Sequence, residues 1–279
     1  MIYFVSSIET LEYDMTRSIS PKMAGVLERL ELERPALVTT EYLANILAEK
    51  QIETEVRVVA ARLRNLGWLL ATNQRGVWEF APAEMAGPYS RNNPVMPLQA
   101  FLIQYPDSEC ALTFQAGAWA LDFADRIPAT LEVAVPDLKI AKKLPDSLMS
   151  TVFRPVLPTV LIKEVSVLAV ESIFINMTAK PNDVRSWVST VEWLPELAST
   201  LSWENLNKEL TNRTAATKAR TGYLLQGLRP DLAELIYAMF PPQTKTWFGP
   251  RKKLRRHNNR WLVADTLLPF DPTDPESST

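Results

Sequence analysis

A change of hydrophobic period inside residues 18–81 constrains the fold more than any other feature of the chain. Ser20-Pro21 predicts a helix start, with Ser as N-cap and Pro at the first helical position. Met23, Val26, Leu27 and Leu30 then recur at helical spacing until Pro35. A second helix starts at Thr39-Thr40-Glu41 and carries Leu43, Ile46 and Leu47 on one face. After the break at Lys50-Gln51-Ile52, Thr54-Glu55 caps a third helix with the stripe Val56, Val59, Ala60, Leu63 and Leu66. Gly67 suits the left-handed position that ends it. The period then switches to two short β-prone runs, residues 68–72 and 77–81, around the turn Asn73-Gln74-Arg75-Gly76.

Three helices and a hairpin, in that order, predict a winged helix-turn-helix, with the third helix as reader and the hairpin as wing. Arg57, Ala61 and Arg64 share the face of helix three opposite its apolar stripe. Arg62 flanks that face and Arg75 sits at the wing tip. Arginines so placed can meet phosphate or guanine. Residues 1–90 nevertheless carry 9 Lys and Arg against 12 Asp and Glu, a net of −3. Several of these acids (Glu9, Glu12, Glu28, Glu31, Glu33) fall in or before helix one, away from the reading face. The same fold also serves protein contacts, so the alternative is a protein-interaction or regulatory module whose winged helix leaves DNA untouched.

A Pro/Gly/Asn-rich stretch, residues 81–94, reads as a linker. It divides the chain into a winged helix-turn-helix domain, 1–90, and a larger mixed α/β domain, 91–279, so the fold class is α+β. In the second domain, helices are predicted at 98–105, 113–123, 183–194, 203–212, 214–227 and 230–240. Strands are predicted at 131–135, 152–153 and 160–162, and residues 165–178 fit either a strand or a buried helix. Residues from about 271 form a disordered tail. Trp119, Trp187 and Trp193 fall on apolar helical stripes and read as core. Asp122 and Asp125 read as a solvated helix end.

The 279 residues include one Cys, Cys110, and one His, His257, which excludes an internal disulfide and a Cys/His structural zinc site. His257 stands in Arg255-Arg256-His257-Asn258-Asn259, a poor setting for an oriented general base. Eight glycines leave little room for phosphate-cradling loops, and no nucleotide-binding, zinc-protease or Gly-Ser nucleotidyltransferase signature occurs. No enzyme activity, cofactor or metal is expected. No apolar run is long enough to span a membrane, and residues 1–7 lack the basic start of a signal peptide, so the expectation is a cytoplasmic protein. One charge anomaly remains. Between Glu234 and Asp265 lie seven cations and no acid: Lys245, Arg251, Lys252, Lys253, Arg255, Arg256 and Arg260. This basic strip, with Lys252, Lys253, Arg255 and Arg256 at its centre, is a candidate phosphate or acidic-partner contact.

Four stretches together resemble the AbiEi family, antitoxins of the AbiE type IV toxin–antitoxin systems. They are residues 76–89, beginning Gly76-Val77-Trp78-Glu79-Phe80; residues 114–135, with Gly117-Ala118-Trp119-Ala120-Leu121 and Thr130-Leu131-Glu132-Val133-Ala134-Val135; Val184-Arg185-Ser186-Trp187 through Glu192-Trp193-Leu194-Pro195; and Arg220-Thr221-Gly222-Tyr223-Leu224-Leu225. The resemblance implies an N-terminal winged helix that binds double-stranded promoter DNA, with inverted repeats, and represses its own operon. It implies a C-terminal domain that counters a nucleotidyltransferase-type toxin without a stable complex, in phage defence. The family's reader arginines correspond by pattern to Arg57, Arg62, Arg64 and Arg75.

Overall fold

The structure is a computed structural model describing residues 21–85, 90 and 92–274. The Ser20 cap, Glu9, Glu12, residues 1–7, linker residues 86–89 and 91, and tail residues 275–279 lie outside the described residues. The chain divides into two compact units, Met1–Asn93 and Pro94–Thr279, of mixed α and β structure.

The first unit runs α1 (Pro21–Glu33), β1 (Leu37–Thr39), α2 (Thr40–Glu49), α3 (Val56–Asn65), β2 (Leu69–Ala71) and β3 (Val77–Phe80). The expected stripes meet in one core: Met23, Val26, Leu27 and Leu30 of α1, Leu43, Ile46 and Leu47 of α2, and Val59, Ala60 and Leu63 of α3. Val56 and Leu66 are half-buried at its margin. Trp68 and Phe80 close it, their rings stacked at 6.5 Å. Thr39 caps α2 by accepting from the Tyr42 N–H at 3.0 Å. At the end of α3, Gly67 (φ 73°) donates to the Arg64 carbonyl and Trp68 N–H to the Leu63 carbonyl, a Schellman closure. Strand β1 was not expected. Its three residues pair antiparallel with β3, Val38 opposite Trp78, in a sheet ordered β1-β3-β2. Its burial comes from that tertiary pairing, which no local period announces.

The second unit continues with α4 (Met96–Gln104), β4 (Ala111–Leu112), α5 (Phe114–Ala120), β5 (Leu131–Val135), α6 (Leu138–Ala141), β6 (Leu148–Val152), β7 (Val160–Ile162) and β8 (Val165–Val167). Then come α7 (Val170–Ala179), α8 (Trp187–Thr190), α9 (Leu194–Ser199), α10 (Trp203–Thr211), α11 (Ala215–Leu228), α12 (Pro230–Met239), β9 (Thr246–Phe248), β10 (Arg256–Asn258) and β11 (Val263–Asp265). A five-stranded mixed sheet has the order β6-β5-β4-β8-β7. Leu112, Val133, Val135 and Val167 belong to the apolar cluster on one face. Ala111 and Ala134, alternating with them, join the larger cluster that runs into Trp187, Trp193, Leu224 and Trp261.

Several expectations are corrected. The ambiguous segment 165–178 is both a strand and a helix, β8 then α7. The helix over 183–194 is two short ones, because Ser186 caps α8 and Pro195 falls in the first turn of a new helix, α9. The strand at 152–153 starts earlier, at Leu148. Strand β5 is buried on both faces, Glu132 included. Of the expected tail, residues 271–274 are described: Asp271 accepts from the Thr273 N–H at 2.9 Å, and Pro272 is buried. Trp187 and Trp193 are core residues, Trp119 is half-buried, and Asp122 and Asp125 are exposed. No helix among the described residues is long and apolar enough to cross a membrane.

Candidate nucleic-acid interface

Packing dictates what α3 can offer. With Val59, Ala60 and Leu63 turned into the core, the helix exposes Arg57, Val58, Ala61, Arg62, Arg64 and Asn65. The hairpin β2–β3 rises beside it. Arg57 and Arg64 of α3 and Arg75 of the hairpin turn line one groove of about 700 Å3, with Thr40, Thr72 and Trp78 completing its walls. Arg62 lies outside that groove. Three of the four sequence-nominated arginines are thereby gathered around one depression, although Arg75 is distant in sequence from the other two.

The hairpin tip is held by hydrogen bonds, which fixes the backbone that carries Arg75. Thr72 Oγ1 donates to the Val77 carbonyl at 2.7 Å and accepts from the Gln74 N–H at 3.1 Å. Gly76 takes φ +76°, a region that side-chain-bearing residues rarely adopt. Its carbonyl accepts from the Thr40 N–H at 3.0 Å, tying the turn to the first residue of α2.

Arg57 forms an ion pair with Glu55 at 2.5 Å, both side chains being largely exposed. Such a pair contributes at most about 1 kcal/mol and yields readily to a phosphate. Arg62, Arg64 and Arg75 have no ion pair among the described residues, so this surface keeps a local excess of positive charge. The acids of α1 are partly engaged elsewhere: Glu33 pairs with Arg29 at 2.6 Å and Glu28 with Lys50 at 3.7 Å.

The basic strip of the second unit separates into two groups. It carries β9 and β10, which no sequence period announces and which flank β11 in a small sheet. Arg256 forms an ion pair with the fully buried Asp265 at 3.5 Å and donates to the Leu268 carbonyl at 2.9 Å and to that of Phe270. Arg255 donates to the Leu268 carbonyl at 3.0 Å, and Arg260 pairs with Glu234 at 2.5 Å. Their guanidinium groups hold the fold together. Arg251, Lys252 and Lys253 are exposed in the turn between β9 and β10, with no ion pair among the described residues. His257 is exposed on β10. Among the described residues, no group of three or more His, Cys, Asp and Glu could hold a metal ion.

Sequence reasoning passed over the buried carboxylates that organise the second unit. Glu209 accepts from the Val156 and Leu157 N–H groups at 2.8 and 3.1 Å, from Ser172 Oγ at 2.9 Å and from Arg213. Glu132 accepts from the Ala116 N–H at the start of α5, at 2.9 Å, and burial pushes its carboxyl up to about 7. In sequence both look like ordinary surface acids. The clue for Glu132 is its place inside an otherwise apolar strand.

Comparison with known proteins bears on the second unit and on the fold. Residues 110–227 match the AbiEi antitoxin C-terminal domain, which supports an AbiEi-type antitoxin family for this chain. Three of the four stretches that carry the resemblance lie inside that match, and residues 76–89 lie before it. The crystal structure of the RV2827C protein from Mycobacterium tuberculosis superposes with a TM-score of 0.75, at 22% identity, over 93% of this chain and 94% of that one, so the two share a fold. No curated protein matches the chain.

Proposed function

We propose that the chain is the antitoxin of a type IV toxin–antitoxin system, with its first unit acting as a winged helix-turn-helix that binds the promoter of its own operon and represses it. The second unit, which contains the AbiEi antitoxin match, counters a nucleotidyltransferase-type toxin. The observation that carries the DNA-binding half is the groove between α3 and the hairpin. Arg57 and Arg64 line it from the helix and Arg75 from the turn, and among the described residues only Arg57 is engaged by an acid. A B-DNA major groove admits one helix, and arginine there can pair bidentately with guanine.

On this reading Arg57 and Arg64 contact base edges, Arg75 contacts phosphate or the minor groove, and Arg62 contacts phosphate from the flank. Lys252 and Lys253 add non-specific phosphate contacts, whereas Arg255 and Arg256 serve mainly to hold β10 against β11 and the chain after it. The test is a salt-titrated binding assay of the full chain on its upstream intergenic DNA. Replacing Arg57 or Arg64 with Ala should cost about 1–3 kcal/mol and relax base preference. A double variant that stays folded by circular dichroism yet binds as tightly as the parent would refute the proposal.

A further inference from the structure

Between the arginines of α3 lies a patch that charge alone does not explain. Val58 is 53% exposed, and Ala61, one turn further on the same face, is exposed as well. Around the helix axis the pair lies between Arg57 and Arg64 on one side and Arg62 on the other. A single exposed valine is unremarkable on a protein surface. Here, however, its neighbours are Arg57, Arg62 and Arg64, of which Arg62 and Arg64 have no acid partner among the described residues, and such a frame suits a polyanion whose interior presents methyl groups. The major groove of DNA is such a surface. Phosphates form its rims, and thymine is distinguished on its floor by a 5-methyl group that alanine and other apolar side chains contact.

We propose that Val58 and Ala61 determine specificity by packing their methyl groups on thymine 5-methyls, so that the bound half-site carries a thymine-containing step beside the guanines met by Arg57 and Arg64. This rests on the DNA-binding reading above. The two residues are about 4.5 Å apart along the helix axis, at 1.5 Å per residue, and base pairs rise about 3.4 Å, so the patch covers one or two consecutive pairs.

The test exchanges thymine for uracil, one position at a time, in the promoter duplex. Uracil keeps every hydrogen-bonding group and loses only the methyl. Binding of the full chain is read by fluorescence anisotropy. At one or two positions per half-site, affinity should fall about four-fold, the equivalent of one buried methyl. Val58→Ala should abolish that fall at one position while leaving the salt dependence unchanged. Val58→Thr keeps a methyl at the site and should preserve part of the discrimination. Val58 is solvent-exposed and alanine is the better helix former, so Val58→Ala should fold as the parent does. Promoter binding that depends on Arg57 and Arg64 but tolerates uracil everywhere would overturn this inference and leave the DNA-binding reading standing. Uracil sensitivity unchanged by Val58→Ala would overturn it too. Absence of promoter binding would overturn both.

Discussion

Gly222 lies in the Arg220–Leu225 segment, one of the stretches that resemble the AbiEi family, and its role is spatial. A Cβ built there would sit 2.0 Å from Cη2, 2.2 Å from Cζ3 and 2.5 Å from Cζ2 of Trp261. Ordinary contact begins near 3.4 Å. The indole or helix α11 would therefore have to retreat by roughly 1.5 Å, and neither has room. Trp261 is fully buried, with the Tyr237 ring edge-on at 5.5 Å. Gly222 itself is flanked in α11 by the buried Thr221 and Tyr223. Overpacking of this kind costs about 1–3 kcal/mol and sometimes more. The helix-propensity gain of Gly→Ala returns about 1 kcal/mol. Because the clash is with a rigid ring, the cost lies at the upper end of that range, and Gly222→Ala should lose about 1–2 kcal/mol net. Gly25 in α1 is the control. Its nearest neighbour would be the flexible Lys50 side chain at 3.6 Å, so Gly25→Ala should gain about 0.5–1 kcal/mol from propensity alone. Urea unfolding of the full chain, fitted separately for each unit's transition, gives both values. The spatial account fails if Gly222→Ala lies within about 0.5 kcal/mol of the parent, or if the two substitutions have the same sign.

Two further outcomes follow from buried charge. Glu132 carries a carboxyl pushed up to about 7 when folded, against an ordinary value of 4.5, so the native state holds its proton more tightly. The second unit should gain stability as pH falls from about 7 towards 4.5, by on the order of 2–3 kcal/mol, and this contribution is gone once pH has risen through about 7, where the carboxyl is ionised in both states. Glu132→Gln keeps the acceptor for the Ala116 N–H and should flatten that dependence; an unchanged urea midpoint profile between pH 5 and 8 would count against it. In the basic strip, Lys252→Gln with Lys253→Gln should leave the urea midpoint alone and reduce the log–log salt slope of promoter binding by about 1.8, at about 0.9 per phosphate contact. Arg256→Gln should instead destabilise the second unit by about 2–3 kcal/mol, since it strips the partner from buried Asp265. The opposite pattern would reverse their assignments.

What could be read from the sequence was whatever repeats locally. The stripes of α1, α2 and α3, the positive-φ glycines at 67 and 76, and the helices α10, α11 and α12 all follow from spacing or turn chemistry over fewer than fifteen residues. Strands β1, β9, β10 and β11 did not, because each has three residues and forms only through a partner elsewhere in the chain. The same divide runs through the candidate site. Helical period alone placed Arg57 and Arg64 on one face. That Arg75 joins them follows from the hairpin packing beside α3. Arg255 and Arg256 appeared as free as Lys252 in a window without acids, yet the carbonyls and carboxylate that hold them lie in residues 265–270, where the window ends.

Net charge is the weakest guide to this surface, and the structure shows why. The first ninety residues sum to −3, which taken whole argues against a polyanion partner. Electrostatic reach in physiological salt is only about 8 Å, so a ligand at the α3 groove senses the charges near it and not the sum. Glu28 and Glu33 have cations of their own, Glu31 accepts from the Ala83 N–H at 2.6 Å, and Glu84 pairs with Arg34 at 3.0 Å. Glu55 is the acid bonded to a groove arginine, and as the residue preceding α3 it makes no side-chain cap. It lowers the attraction of Arg57 for phosphate without helping the helix start. An acidic unit with so local a cationic face offers few phosphate contacts, so any polyanion bound there would be held weakly wherever the face does not fit and would show only a modest salt slope. On the DNA-binding reading proposed above, base-edge contacts from α3, rather than bulk charge, would then decide where the protein sits on DNA.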